Sequence, residues 1–336
     1  KGILGKGKSL PSIYGASEPQ MNANNLRTKG YELVLGWRDS FKLAGSTFSY
    51  GITGTFSDYT AEYTKCDNPT GLIGDPYVGK KYGEIWGYKV DGLFRNDKEA
   101  AEYASRIDLS TVASGYYTAT GAYGKGVRGG DIKYLDLNGD NIVNGGKGTL
   151  DDPGDRRVIG NSSPRYQYGA SLNFSWYGFD VSVFMQGIGR LDWYPGADNL
   201  RFWGPYCRPY ATFVPKNFMS QVWSEENPDA YFPRARAYTS LNSNSGTAYY
   251  TNDRYLQNLA YCRLKNLTIG YTIPRRLTSK VGIKECRIYF SGENLATWSA
   301  LKSDFLDPEQ AAADSDKKAN VYPWCKTYSI GLNLTF

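Results

Sequence analysis

Three oxygen-bearing side chains alternate in the stretch DLNGDNIVN. Asp136, Asn138 and Asp140 occupy positions 1, 3 and 5 of a calcium-type loop, where hard oxygen ligands at every second residue let a short turn wrap one cation. The EF-hand pattern then requires Gly at position 6 and Glu at position 12, but Asn141 and Lys147 stand there. The stretch therefore predicts a structural calcium loop and not an EF-hand, with metal-free Asx-turns as the alternative.

A second candidate site is the aromatic-rich stretch DNLRFWGPY. Aromatic faces beside an acid and a guanidinium can stack on sugars or hold a peptide backbone. The same residue types also pack loops and contact protein partners, where Tyr, Trp and Arg are enriched. The predicted substrate or lid contacts are Asp198, Arg201, Trp203 and Tyr206.

Catalytic chemistry finds little support in the composition. The chain has no His, which excludes His-based catalytic triads and His metal sites. Its five Cys are scattered without C-x-x-C spacing, which argues against zinc. The net charge of +6 is spread without a Lys/Arg block, which argues against nucleic acid. We therefore expect a protein that is not an enzyme and has no catalytic cofactor.

Strands are the elements that must position these loops. In the stretch CKTYSIGLNLTF, every second residue from Tyr328 to Phe336 is apolar, and the residues between them are polar or small. This period of two predicts a strand with one apolar and one polar face. The same pattern predicts seven strands, at roughly 29–38, 46–64, 164–176, 178–190, 256–273, 284–298 and 325–336. Cys262 and Leu264 break the phase, which indicates a bulge or a strand end.

The connections between these strands alternate between short and long. The predicted long loops are about 65–163, 191–255 and 299–324, and a short helix is expected at Asn96–Ile107 with Asn96 as its N-cap. Short turns on one side and long loops on the other are typical of outer-membrane barrels. Seven strands cannot close alone, because an open edge would leave backbone groups unpaired in lipid. The sequence therefore predicts an all-β fold that is part of a larger antiparallel transmembrane β-barrel, completed by further polypeptide.

Five stretches in a fixed order carry a family resemblance over nearly the whole chain. They lie at Leu10–Asp39, Gly130–Asn144, Asp155–Gly187, Tyr255–Pro274 and Ile288–Ser299, and include GDIKYLDLNGDNIVN, DRRVIGNSSPRYQYGASLNFSWYGFDVSVFMQG, YLQNLAYCRLKNLTIGYTIP and IYFSGENLATWS. Together they resemble the C-terminal barrel portion of SusC/RagA-type TonB-dependent transporters.

The resemblance implies a single-chain barrel of about 22 strands with an N-terminal plug. It also implies energy input through TonB, a SusD-like surface lipoprotein as an outer lid, and import of oligosaccharides or peptides across the outer membrane of a Gram-negative bacterium. The plug, the TonB box and the first barrel strands are not in this sequence, so we expect residues 1–336 to be the C-terminal barrel segment. The expected partners are therefore the remaining barrel and plug polypeptide, TonB, the lipoprotein and the lipid bilayer.

The resemblance also extends the calcium loop. In this family a related loop often runs into Asp-Arg before a Val-Ile-Gly strand, and Asp155 of DRRVIG occupies that place. Asp151 and Asp152, in the insertion GGKGTLDDPG, are alternative ligands. The predicted ligands of a structural calcium are thus Asp136, Asn138, Asp140 and Asp155.

Two other functions are compatible with a strand-rich chain of this composition. A surface binding or adhesion protein would use the barrel only as an anchor and would need no plug. A β-rich glycan hydrolase would need two carboxylates at a defined separation, which sequence spacing cannot test. An apolar face on every strand leaves little solvated surface for a soluble enzyme, so the transporter is the preferred interpretation.

Overall fold

The computed structural model describes residues 2–6, 13, 15, 20–118, 126–207, 214–236, 248–303, 305–313 and 322–336. Parts of the predicted loops lie outside these residues, namely 119–125, 208–213, 237–247, 304 and 314–321, as does most of the segment 10–19 in the first family motif. Among the described residues, no helix is long and apolar enough to cross a membrane.

Strands dominate the architecture. In chain order they are β1 (Ile3–Lys6), β2 (Gln20–Leu43), β3 (Ser46–Lys65), β4 (Glu84–Tyr88), β5 (Val90–Leu93), β6 (Ile132–Tyr134), β7 (Arg156–Asn161), β8 (Arg165–Trp176), β9 (Phe179–Arg190), β10 (Asp192–Trp193), β11 (Gln257–Asn258), β12 (Tyr261–Thr272), β13 (Glu285–Ser299) and β14 (Thr327–Thr335). Eight of them form one antiparallel sheet in the order β1-β2-β3-β8-β9-β12-β13-β14. In the described part of the chain, β1 and β14 do not pair with each other, so this sheet is open.

Two hairpins of this sheet turn on two residues each. Ala44 and Gly45 join β2 to β3 with φ angles of 48° and 82°, and Tyr177 and Gly178 join β8 to β9 with 49° and 83°. Positive φ at both turn residues matches the right-handed twist of the flanking strands. These turns hold neighbouring strands in register and leave one end of the sheet with short connections.

One face of the sheet is apolar and exposed. On β14, Ile330 is 84% exposed and Leu332 is 57% exposed. On β2 and β3, Trp37 lies opposite Ile52, and both are exposed. A continuous exposed apolar surface of this extent marks a face that meets another apolar phase. The alternation predicted from the sequence thus places the apolar residues on one side.

The other face is polar and carries an ion pair. Arg287 Nε on β13 donates to Asp180 Oδ1 on β9 over 2.9 Å. The pair passes over Gly270 of β12, where an added Cβ would lie only 2.6 Å from the Asp180 carboxylate. Thr268 lies in register with Ser182 on one side and Ser291 on the other. This face therefore suits contact with water or polar ligands.

The strand predictions are confirmed in number and order for seven strands, with corrected boundaries. The first strand, predicted at 29–38, runs from Gln20 to Leu43, so its connection to β3 consists only of Ala44 and Gly45. The segment 256–260 belongs partly to β11 and not to β12. β1 was missed, because four residues are too few to show a period. The phase break is a bulge, since the register of β12 shifts between Leu264 and Asn266.

The long connections contain structure of their own. They hold three two-stranded sheets, β4 with β7, β5 with β6, and β10 with β11. They also hold the helices α1 (Asp97–Ala104), α2 (Ser114–Thr118) and α3 (Leu200–Trp203), whereas α4 (Arg275–Thr278) lies in a short connection. The predicted helix is confirmed, with the Asn96 side chain accepting from Glu99 N over 2.9 Å. The connections pack around a common core, which we call the loop body.

Candidate functional site

The stretch DNLRFWGPY lies in the loop body and forms α3 followed by a 3-10 turn at Gly204–Tyr206. Asn199 caps α3, because its side chain accepts from Phe202 N over 3.0 Å. Phe202 and Trp203 of α3 are buried, whereas Asp198 is exposed.

Trp203 and Tyr206 belong to the aromatic core of the loop body. Trp203 is fully buried, and its ring centroid lies 4.8 Å from that of Phe202 and 5.0 Å from that of Tyr255. Its indole Nε1 donates to Gly196 O over 3.0 Å. Burial raises the pKa of Tyr206, so its hydroxyl remains a donor, and it donates to Pro233 O. In this conformation both rings pack the loops.

A buried ion pair joins the first long loop to the second. Arg236 Nε donates to Asp131 Oδ1 over 2.9 Å and its Nη2 to Oδ2 over 2.6 Å. The guanidinium also lies 4.2 Å from the ring centroid of Tyr116. Burial raises the pKa of Asp131 to about 6, against the lowering effect of Arg236. The two loops therefore form one packed unit.

The third long loop is held against the polar face of the sheet. Arg263 of β12 donates to Asp307 over 2.7 Å and to Glu309 over 2.8 Å. Lys265 of the same strand donates to Glu309 over 2.7 Å. The Arg263 side chain is almost completely buried, so each loop carboxylate is a charge-assisted acceptor in a dry environment. These contacts fix residues 305–313 relative to the strands.

A cavity of about 130 Å³ opens where the second and third loops meet. Arg201 lines it, and the Arg201 carbonyl accepts from Ser303 Oγ over 3.3 Å. Of the four residues predicted as substrate or lid contacts, the structure places Arg201 at this cavity, Asp198 at the surface, and Trp203 and Tyr206 in the core. Substrate contact by these residues stays a prediction.

The predicted calcium loop is shaped by Asx-type hydrogen bonds. Asp136 accepts from Gly139 N over 2.7 Å and from Asn141 N over 2.9 Å. Asn138 accepts from Asp140 N, and Asp140 accepts from Ile142 N. Alternating Asp and Asn side chains thus cap the backbone of their own turn.

Asp155 binds the backbone near both ends of this loop. It is fully buried, and its two oxygens accept from Leu137 N over 2.7 Å and from Asn144 N over 2.9 Å. Within the described ranges, no group of three or more His, Cys, Asp or Glu side chains is placed to hold a metal ion. A carboxylate oxygen that accepts one N–H keeps a second lone pair. Calcium binding here stays a prediction.

Residues that line the cavity from the third loop were missed in the sequence. Lys302 and Phe305 line it together with Asn217 and Gln221 of the second loop. None stands in a motif, and the two groups are more than 80 positions apart. The only sequence signal was the aromatic-rich stretch around Arg201.

Comparisons with known proteins agree with this architecture. No protein-family model matches the chain. The TonB-dependent receptor P26 of Formosa agariphila is 26% identical over 98% of the chain, and the TonB-dependent receptor P3 of the same organism is 24% identical over 98%. The chain covers 31% and 30% of these two proteins, so it spans about a third of the length of the curated relatives it matches.

Solved structures show the same fold. A chain of the RagAB peptide transporter superimposes with a TM-score of 0.61 at 18% identity, covering 97% of this chain and 31% of that one. The RagAB peptide importer in its open-open state gives a TM-score of 0.62 at 18% identity, with 99% and 31% covered. The relatives are named receptors and the neighbours transporters, which supports the expectation that the chain is not an enzyme. The resemblance noted in the sequence is confirmed: the chain is similar in sequence to TonB-dependent receptors, and its all-β fold is that of the matching part of the RagAB transporter chain.

Proposed function

We propose that this chain forms part of the barrel wall and the external loops of a TonB-dependent nutrient importer in the outer membrane of a Gram-negative bacterium. The observation that carries the proposal is the two-faced sheet. Its apolar face is exposed over several strands, and its opposite face is polar and carries the Asp180–Arg287 ion pair. A strand with lipid on one side and a polar lumen on the other requires this division.

The proposed substrates are oligosaccharides or peptides, taken up without covalent change. Named relatives that are TonB-dependent receptors support the use of TonB, and a neighbour named as a peptide transporter supports a peptide as one of the two classes. A SusD-like surface lipoprotein is the proposed outer partner, and further polypeptide supplies the remaining strands and the plug. In this arrangement the loop body forms part of the external binding cavity.

A surface binding or adhesion role is the second candidate. The observation that favours it is the size of the loop body, which has its own buried core of aromatic and aliphatic side chains. Such a body could bind a ligand while the sheet serves only as an anchor. Uptake separates the two functions, because an anchor does not need TonB.

The test compares uptake and binding in the native host. Cells with and without the gene, each with and without TonB, are given fluorescent oligosaccharides or peptides. An importer predicts that label enters the periplasm only when both the protein and TonB are present, with surface binding independent of TonB. Surface binding without TonB-dependent entry would instead identify an anchored binding protein.

A further inference from the structure

The cavity between the second and third long loops is built from two separate parts of the loop body. Its lining includes Phe202, Phe218 and Phe232, all nearly fully buried. The rings of Phe218 and Phe232 have centroids 5.6 Å apart. Buried rings in mutual contact hold this part of the lining in place.

The third loop forms part of the cavity wall, and several contacts fix this wall in place. Lys302 N donates to Gln257 Oε1 over 3.2 Å, and Leu301 N donates to Ser299 Oγ over 3.1 Å. The ion pairs of Arg263 with Asp307 and Glu309 hold the residues that follow. The wall is thereby attached both to the loop body and to the sheet.

Two cationic residues line this cavity. Arg201 and Lys302 both line it, and no acidic side chain does so among the described residues. Neither cation lies within ion-pair distance of a carboxylate in the described part of the chain. Lys302 Nζ lies 4.7 Å from the ring centroid of Tyr231, a cation–π contact.

Two other cations that contact the long loops form ion pairs with carboxylates. Arg236 is bound to Asp131, and Arg263 is bound to Asp307 and Glu309. In the third loop, the described carboxylates Asp307 and Glu309 are thus already bound by Arg263. Among the described residues, Arg201 and Lys302 thus have no carboxylate partner and can bind an anionic ligand.

We infer that this cavity binds a carboxylate carried on a small group, with Arg201 and Lys302 as the cations that hold it. A guanidinium and an ammonium on one cavity are the usual partners of a carboxylate. The side-chain amides of Asn217 and Gln221 also line the cavity and can bind hydroxyl or amide groups of the ligand. A cavity of about 150 Å³ is known to take one benzene ring, so 130 Å³ suits a ring-sized group.

The inference names the chemistry of a substrate part and so rests on the proposed import function. A carboxylate of this size can be the end of a peptide or an acidic sugar. Both sources present the same charged group, and the lining fits that shared group. Binding of a peptide-like or a sugar acid probe identifies which of the two carries the carboxylate.

The experiment measures equilibrium binding to the native protein purified from outer membranes in detergent. Four probes are titrated by calorimetry: N-acetylphenylalanine and its neutral amide, and methyl glucuronide and its neutral amide. We expect one acid to bind at least about tenfold more tightly than its amide, since a charge-assisted hydrogen bond has that strength. The comparison uses unaltered protein and does not depend on a variant that folds.

Variants then assign the charge preference to the two cations. Arg201→Gln and Lys302→Gln should each reduce the acid-over-amide preference by roughly tenfold. Arg276→Gln and Lys98→Gln are matched controls, because Arg276 is exposed in α4 and Lys98 is exposed on α1, away from the cavity lining. The controls should keep the full preference.

Asp304 receives its own variant because it follows Ser303 in sequence and lies outside the described residues. If its carboxylate neutralised the cations, unaltered protein would show no acid preference and Asp304→Asn would create one, which overturns the inference. Equal binding of acids and amides in every variant would overturn it as well. Failure of TonB-dependent uptake with intact acid binding would remove the import function and leave the cavity assignment in place.

Discussion

The sheet and the loop body use the same aromatic and aliphatic residues in opposite ways. In the sheet, Ile330 is 84% exposed and Trp37 is 63% exposed, whereas in the loop body Trp203 and Tyr255 are fully buried. Water-exposed apolar surface is costly, so a stable protein can carry both patterns only if the two regions meet different surroundings. The contrast shows that the sheet relies on an external apolar phase, while the loop body makes its own core.

The largest effect is expected from a substitution in the core of the loop body. Trp203→Ala should destabilise the loops by about 3 to 5 kcal/mol, because it leaves a cavity among Phe202 and Tyr255. Limited proteolysis of the native protein in detergent should show faster cleavage between the strands, with the heat-resistant gel mobility of the barrel retained. Trp37→Ala on the exposed face is the matched control and should leave loop cleavage unchanged. If loop cleavage became equally faster in both variants, the distinction between the two regions would be contradicted.

The second largest effect is expected from a substitution at the contact between the sheet and the third loop. Arg263→Met should free the third loop, since it leaves Asp307 without its partner and Glu309 with Lys265 alone. Removing one member of a buried ion pair costs about 3 kcal/mol. Hydrogen exchange should rise in residues 305–313 and stay unchanged around Asp131 and Arg236. Unchanged exchange in the third loop would show that packing alone holds it.

The two faces of the sheet can be compared by placing a Lys on either face of β14. Ile330→Lys places an ammonium on the apolar face and should cost about 2 kcal/mol when the protein is folded into bilayers. Ser329→Lys places the same ammonium on the polar face, where it should be tolerated. Urea unfolding from lipid vesicles measures the difference. A similar cost at both positions would contradict the assignment of lipid to the apolar face.

Calcium should have the smallest effect. Hydrogen bonds from the backbone already shape the loop around Asp136 and Asp155, so bound calcium should add less than about 1 kcal/mol at a few times its Kd. The stabilisation by calcium is measured as the difference in protection of the loop from proteolysis between calcium and a chelator. Asp136→Asn is the control and should lose the difference. Identical protection in calcium and chelator would exclude the metal.

The alternation of side chains determined most of the sheet. In the stretch YQYGASLNFSWYGFDVSVFMQG, the period of two and the Tyr177-Gly178 pair placed β8, β9 and their turn to within a residue. Pattern and turn chemistry are local properties, so they can be read without the rest of the fold. β2 was predicted too short, because its pairing with β3 continues where its own sequence no longer alternates.

The sequence by itself determined the strand order, the two faces, the N-cap of α1 and the loop chemistry around Asp136. Only the tertiary structure decided that Trp203 and Tyr206 are buried, that Asp155 closes a loop, and that Arg201 and Lys302 share one cavity. These features depend on contacts between separate segments, from 18 residues apart for Asp155 with Leu137 to 102 residues apart for Ser303 with Arg201. The composition of a loop specifies which contacts are possible, and the packing of distant segments selects among them.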